Sequence, residues 1–275
     1  MKLPLILNPL YRILAQNTPE TIKPTLRGWY NLLNKIVTYG FFNRDIFTAI
    51  DFEINSHCNL ECSYCPTSFE GGRGTKYMDE LMFRKVIDDL ATINYSGRIS
   101  PHFFGEPLLD ERLPRLMAYA REKLPKCQII IHTNGIRLSK TTYDECMAAG
   151  VTGFLVTQHT PKMPRNVQRL VEEKYAKHGT LKVRTLDNLT LFNRSGSVEP
   201  KKSRKLKRCF YISDEISVTH LGNVLCTNDF HETTSFGNVK EKSIIEIWRS
   251  NEFRKMRKDV MKGKFELEMC KSCIS

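Results

Sequence analysis

No apolar run in this chain reaches the roughly 18 residues that a membrane-spanning helix requires. The segment Met1 to Gln16 is apolar, but Pro4 and Pro9 break it. It has neither a continuous hydrophobic region nor a small-residue cleavage site, so no signal peptide is expected. Without an export signal, the nine cysteines are not expected to form disulfides; in a reducing cytoplasm, clustered thiols more often hold metal. Internal repeats and low-complexity tracts are also missing, which excludes a repeat array. Acidic residues are the scarcer charge, 30 against 42 Lys and Arg, leaving a net +12. Part of that excess lies in the run Lys201 to Arg208. No aromatic interleaves this run, so it lacks the stacking platform of a nucleic-acid site. It reads as a solvated linker face, or as a positive field beside Cys209, and no nucleic-acid partner is expected.

What remains describes a globular protein. The 275 residues are 41% hydrophobic and 26% charged, enough to bury a sizeable core. Residues 1–50 read as an extension with helical pieces such as Trp29 to Val37. From there strands and helices alternate. Strands are expected at Ala49–Asn55, Ile99–Phe104, Cys127–His132, Val151–Thr157 and Leu181–Leu186. Helices are expected at Asp79–Ile93, Leu113–Leu124, Thr141–Ala149 and Asn166–His178, with Met82, Val86, Leu90 and Ile93 on one face of the first. This alternation predicts an α/β fold, a parallel sheet of five to six units forming a partial barrel with helices outside. Chemistry in such barrels sits at the C-terminal ends of the strands.

After about Ser195 the pattern changes. Ile216–Thr219 and Asn223–Cys226 flank Leu221-Gly222, a hairpin signal. Ser243-Ile-Ile-Glu246 is a capping box opening a helix through Trp248 towards Arg257. The small unit ends in Cys270-Lys-Ser-Cys273.

Seven of the nine cysteines fall into two groups. The first, Cys58-Asn-Leu-Glu-Cys62-Ser-Tyr-Cys65, follows the first expected strand. Three thiolates this close can wrap one cubane cluster. A [4Fe–4S] cluster takes four ligands, so three leave one iron open to chelate a cofactor or substrate, as a catalytic zinc keeps one position free. Zinc sites prefer paired C-x2-C halves, which this triplet is not. The second group is Cys209, Cys226, Cys270 and Cys273. Four ligands close a site completely, making it structural or an electron relay; zinc suits four cysteines as well as iron–sulfur does. Cys127 and Cys146 stand among apolar residues and read as buried structural thiols.

The C-x3-C-x2-C run after a first strand, with Tyr64 just before its last cysteine, resembles the radical S-adenosylmethionine (SAM) superfamily. The resemblance implies a partial (β/α)6 barrel in which the open iron binds SAM. One electron then cleaves SAM to methionine and a 5′-deoxyadenosyl radical, which takes a hydrogen atom from substrate. It implies a reduced flavodoxin- or ferredoxin-type electron donor and a cytoplasmic setting. Gly105-Glu106-Pro107 resembles the family motif that contacts the SAM amino group; Tyr64, Gly105 and Glu106 are thus expected at the cofactor. His132-Thr133-Asn134-Gly135 and Thr157-Gln158-His159 end the third and fourth expected strands. Thr133, Asn134 and Gln158 are candidates for SAM contact, for substrate contact, or for contact with each other.

The stretch from Cys209 through Gly222-Asn-Val-Leu-Cys226 to Cys270-x2-Cys273 resembles the auxiliary-cluster domains of that superfamily. Four cysteines match the short, one-cluster Twitch form rather than the seven-cysteine SPASM form. The organisation expected is therefore a helical extension over 1–50, a radical SAM partial barrel over 51–195 and a Twitch-type domain, β-hairpin plus helix, over 196–275. Within the superfamily, Ser96–Leu109, Val156–His159 and Asn193–Gly196 resemble dehydrogenases that oxidise a carbinol of a cyclitol to a ketone. This implies a small-molecule substrate and places Arg194 at the reacting hydroxyl. A guanidinium whose pKa exceeds about 12 is better suited to hydrogen-bond a developing alkoxide than to act as a base; as plain sequence, Asn-Arg-Ser-Gly reads as a surface turn. Phe104 would line the pocket or pack in the core. An epimerase, a peptide-modifying enzyme and a non-catalytic zinc protein remain as other readings.

Overall fold

The structure, a computed structural model of the chain, describes residues 46–69, 74–185 and 207–274, together with isolated positions between 19 and 29. Met1–Ile46 and Phe47–Ser275 are separate compact units. In the first, Leu26 N–H donates to Ile22 O and Trp29 is exposed; the rest of the helix expected at Trp29–Val37 lies outside the described residues.

The second unit runs β1 (Ala49–Phe52), α1 (Pro66–Phe69), α2 (Glu80–Thr92), β2 (Arg98–Ser100), α3 (Leu113–Lys123), β3 (Gln128–Thr133), α4 (Lys140–Ala148), β4 (Gly153–Thr157), α5 (Arg165–Glu172) and β5 (Leu181–Arg184). After the undescribed stretch come α6 (Tyr211–Asp214), β6 (Glu215–Val218), β7 (Val224–Leu225), α7 (Ile244–Arg249), α8 (Asn251–Met261) and α9 (Glu268–Ile274). The strands form one sheet in the order β5-β4-β3-β2-β1-β6-β7. All pairs are parallel except β6–β7. The expected parallel α/β architecture is therefore present, as an open sheet. The expected hairpin is present too: Gly222, with φ +94°, makes the turn that an L side chain would strain, and β6 lies against β1 in the same sheet. The boundary expected near residue 195 lies outside the described residues.

The two faces of the sheet differ sharply. Ile50, Phe52, Ile99, Ile129, Ile131, Phe154, Val156, Ile216 and Val218 are buried on the helix side. There Phe52 meets Phe83 of α2 edge-on, at 5.0 Å between centroids. Asp79 starts α2 by accepting from Leu81 N–H and Met82 N–H at 2.7 and 3.1 Å, and Met82, Phe83, Val86, Ile87 and Leu90 form its buried stripe. Each such side chain contributes about 1.5–3 kcal/mol on burial. The alternate strand positions, Asp51, Arg98, Ser100 and His132, point the other way and are polar.

Three elements end sooner than their pattern suggested. The strand from Ile99 stops at Ser100, where Pro101 has no N–H to give the ladder. The helix from Asn166 stops at Glu172; Lys174 turns left-handed at φ 49°, as helix C-terminal residues do. The capping box at Ser243 and Glu246 forms as expected, but Ser250, at φ −56° and ψ 150°, ends α7 and caps α8 through Phe253 N–H.

Candidate active site

Because β1 to β6 run parallel, their C-terminal ends share one edge of the sheet, where α/β folds bind ligands. The Cys58–Cys65 loop leaves β1 at this edge. Asn55 stitches it down: its amide Nδ2–H donates to Glu106 O at 2.9 Å, while Glu106 N–H donates to His57 O at 2.8 Å. Gly105 permits the approach; a Cβ there would stand 2.3 Å from Asn55 O. Cys65 N–H closes a turn on Cys62 O, and α1 follows with Pro66 at its start.

Four of the residues expected from sequence meet at one point. The Glu106 carboxylate accepts from Thr133 Oγ1–H at 2.6 Å, from Asn134 N–H at 2.8 Å and from Leu108 N–H at 3.1 Å. Asn134 in turn donates through Nδ2 to Asn59 Oδ1 at 2.8 Å and reaches Cys58 Sγ at 3.8 Å. Burial raises the Glu106 pKa, and the hydrogen bonds oppose that rise. The arrangement is a buried carboxylate fixed beside a thiol, suited to receiving a cation such as an ammonium group. Tyr64 lies across the loop, its hydroxyl 2.5 Å from His159 Nδ1. Burial raises the Tyr64 pKa and lowers that of His159, so the phenol donates and the neutral imidazole accepts. Gln158 bends back instead, donating to Thr160 O and Pro161 O at 3.0 and 3.2 Å. Arg194 lies outside the described residues.

The thiols of each group sense one another. Burial raises the Cys58 pKa, with Glu106, Cys65 and Cys62 adding to it. Cys226 is buried after β7, and the charges of Cys209, Cys270 and Cys273 add to the rise in its pKa that burial causes. Cys209 N–H donates to Val260 O at the end of α8. Cys270 and Cys273 share a face of α9, and Cys270 is pushed up to about 12, first by burial. Among the described residues, no three His, Cys, Asp or Glu side chains gather closely enough to hold one metal ion. Cys127 and Cys146 are buried as expected, each pushed up to about 12 mainly by desolvation.

Residues that sequence reasoning missed lie on the inward face of the sheet. Arg98 of β2 ties four strands together. It donates to Asp51 Oδ1 at 3.2 Å, Ser100 Oγ at 2.6 Å and His132 Nε2 at 3.3 Å, and pairs with Glu215 at 3.3 Å. His132 stacks on His102 at 4.2 Å. Burial, then Arg98 and Arg184, pull the His132 pKa down to about 3, so its ring is neutral. Phe104 packs against Phe103 and Phe230 as part of a buried cluster with Leu225.

The model of the radical SAM superfamily matches residues 52–196, and that of an iron–sulfur cluster-binding domain, SPASM, matches 209–274. The chain belongs to the radical SAM superfamily. As a radical SAM enzyme it works with SAM, a SAM-binding [4Fe–4S] cluster and an auxiliary cluster. Among curated proteins it is 36% identical, over 83% of this chain and 93% of the relative, to S-adenosyl-L-methionine-dependent 2-deoxy-scyllo-inosamine dehydrogenase of Niallia circulans. A shorter match, 29% over 40% of this chain and 27% of the other, is to Fe-coproporphyrin III synthase of Methanosarcina barkeri. Among solved structures, BtrN in complex with AdoMet and 2-DOIA superimposes with a TM-score of 0.77 at 32% identity, covering 84% of this chain and 94% of that one. BtrN in an open conformation gives 0.66 at 30% identity, covering 84% and 93%. Among the described residues, no helix is long and apolar enough to cross a membrane.

Proposed function

We propose that this radical SAM enzyme oxidises a secondary alcohol of a cyclitol or similar polyhydroxylated ring to a ketone. The observation that carries this reading is the reach of the similarity to the Niallia circulans dehydrogenase, which takes in 83% of this chain and 93% of that one. Cys58, Cys62 and Cys65 hold the SAM-binding cluster; Cys209, Cys226, Cys270 and Cys273 hold the auxiliary one. Bound there, the cluster and SAM supply a 5′-deoxyadenosyl radical able to take a carbinol hydrogen.

The chain's own residues do the rest. Glu106, kept in place by Thr133 and Asn134, receives the SAM ammonium, and Tyr64 and Gly105 border the cofactor. Gln158 shapes the loop that ends β4. Arg194 hydrogen-bonds the reacting hydroxyl. The polar inward face, from Asp51 and Arg98 to His132, accommodates a hydroxylated ring. The domain limits at 50 and 195 are part of the same reading, as are a cytoplasmic setting and reduction by a flavodoxin or ferredoxin. An epimerase would need a thiol facing the substrate radical. Cys127 precedes β3, at the opposite end of the strand from the site, and Cys146 sits on α4.

The direct test is anaerobic incubation of the enzyme with SAM, a reductant and 2-deoxy-scyllo-inosamine or related cyclitols, with products weighed by mass spectrometry. A ketone is expected; products of unchanged oxidation state would refute the reading. Anaerobically purified protein is expected to be brown and to carry about eight irons per chain, two cubanes' worth, and zinc at either site in metal analysis would defeat the ligand assignment. Glu106→Gln is expected to weaken SAM binding about 10- to 100-fold, since a charged hydrogen bond is worth about 1.5–3 kcal/mol. Calorimetric titration of SAM into the loaded variant checks this.

A further inference from the structure

Glu53 lies two residues beyond Asp51 and continues the ladder, its N–H donating to Val218 O at 2.9 Å. Its side chain therefore falls on the same inward face as Asp51, at the C-terminal edge of the sheet, and it is fully buried. His220 reaches it from the turn between β6 and β7. One carboxylate oxygen of Glu53 accepts both the backbone N–H of His220, at 3.1 Å, and its ring Nδ1–H, at 2.9 Å. Two bonds to one oxygen fix both the ring and its tautomer, because a carboxylate can only accept from Nδ1. In a neutral ring the lone pair is then on Nε2. Among the described residues that buried atom has no hydrogen-bond partner, and His220 is only 8% exposed. An orphaned buried acceptor costs about 1–3 kcal/mol, so its presence at a strand end calls for a function.

We propose that His220, oriented by Glu53, is the group that accepts the hydroxyl proton of the substrate. The proposal rests on the alcohol-oxidising reading above. Once the carbinol carbon has lost its hydrogen atom, forming the ketone requires one proton and one electron to leave. The O–H bond breaks, a bond from the proton to Nε2 forms, and the C–O bond becomes double. The electron passes to an oxidised iron–sulfur cluster, the class of acceptor the auxiliary domain provides. Other candidate groups are poorly suited to this role. The Arg194 guanidinium is already protonated. His132 Nε2 is engaged by Arg98, and its pKa of about 3 leaves it a weak acceptor. His159 Nδ1 is engaged by Tyr64. The carboxylate behind His220 holds the ring as the acid holds the histidine of a hydrolase triad.

His220→Asn separates this role from a structural one. The Asn amide nitrogen sits where Nδ1 does and can still donate to Glu53, but nothing replaces Nε2. With loaded enzyme, SAM and 2-deoxy-scyllo-inosamine, ketone formation is expected to fall about 100-fold, the usual weight of a general base, while iron content and 5′-deoxyadenosine release stay near wild type. Glu53→Gln is expected to show the same uncoupling in weaker form, about tenfold. Wild-type ketone rates in His220→Asn would overturn the proposal alone. Loss of iron or of SAM cleavage in both variants would show a structural pair and overturn it too. No ketone from the wild-type enzyme with any cyclitol would overturn the alcohol-oxidation reading, and the proposal with it.

Discussion

Replacing Cys58, Cys62 and Cys65 with alanine is expected to abolish SAM cleavage, with no 5′-deoxyadenosine detectable by chromatography. The loop that carries them is tied to the sheet mainly through Asn55, Glu106 and Gly105, with Cys58 Sγ adding a long contact, 3.8 Å, to Asn134 Nδ2. Removing the thiols should therefore leave the fold standing and take away only the ligands. Cys270→Ala with Cys273→Ala should behave differently. These residues lie on α9, and they interact with Cys209 and Cys226, not with the first triplet. In that variant SAM is still cleaved, but ketone formation stops, because the electron left after hydrogen abstraction has no acceptor. Iron analysis should show about half the wild-type content in either variant, one cubane of two. Normal turnover by the Cys270/Cys273 variant would end the idea that the auxiliary cluster takes part in oxidation.

The architecture was legible where periodicity was strong. The buried stripe of α2, the parallel alternation and the hairpin at Leu221-Gly222 all follow from local pattern. Strand and helix ends were less so, because Pro101, Lys174 and Ser250 act through single backbone positions that an apolar pattern does not register. At the site, Cys58, Glu106, Thr133 and Asn134 were found from motifs, and the structure joins them in one hydrogen-bonded set. The Arg98 knot and the Glu53–His220 pair were not found. Their partners stand 47 and 167 positions apart in sequence, and no spacing rule links residues on neighbouring strands of a parallel sheet. One signal did exist: an acidic residue at alternate positions of the first expected strand, Asp51 then Glu53, with Ile50 and Phe52 on its other face. A charge inside a buried strand requires a partner, and that requirement could have prompted a search for cations and imidazoles at the same level of the sheet.

With a substrate deuterated at the reacting carbinol carbon, the label is expected to appear in 5′-deoxyadenosine, one deuterium and one ketone per SAM consumed. The deoxyadenosyl group takes that hydrogen, and a dehydrogenase never returns one to carbon. Run in deuterated water with unlabelled substrate, the same reaction should leave no solvent deuterium at that carbon. An epimerase gives the opposite result, because it must return a hydrogen to the opposite face, usually from a thiol that exchanges with water. The placement of the spare thiols favours the dehydrogenase. Cys127 is 4% exposed at the start of β3, with its Sγ–H donating to Tyr95 O at 3.3 Å, and Cys146 is fully buried in α4. Burial pushes both thiols up to about 12, and neither stands at the C-terminal edge where the candidate site lies. A product of unchanged oxidation state that carries solvent deuterium at carbon would contradict this placement and require a thiol donor that reaches the substrate by a rearrangement of the sheet edge.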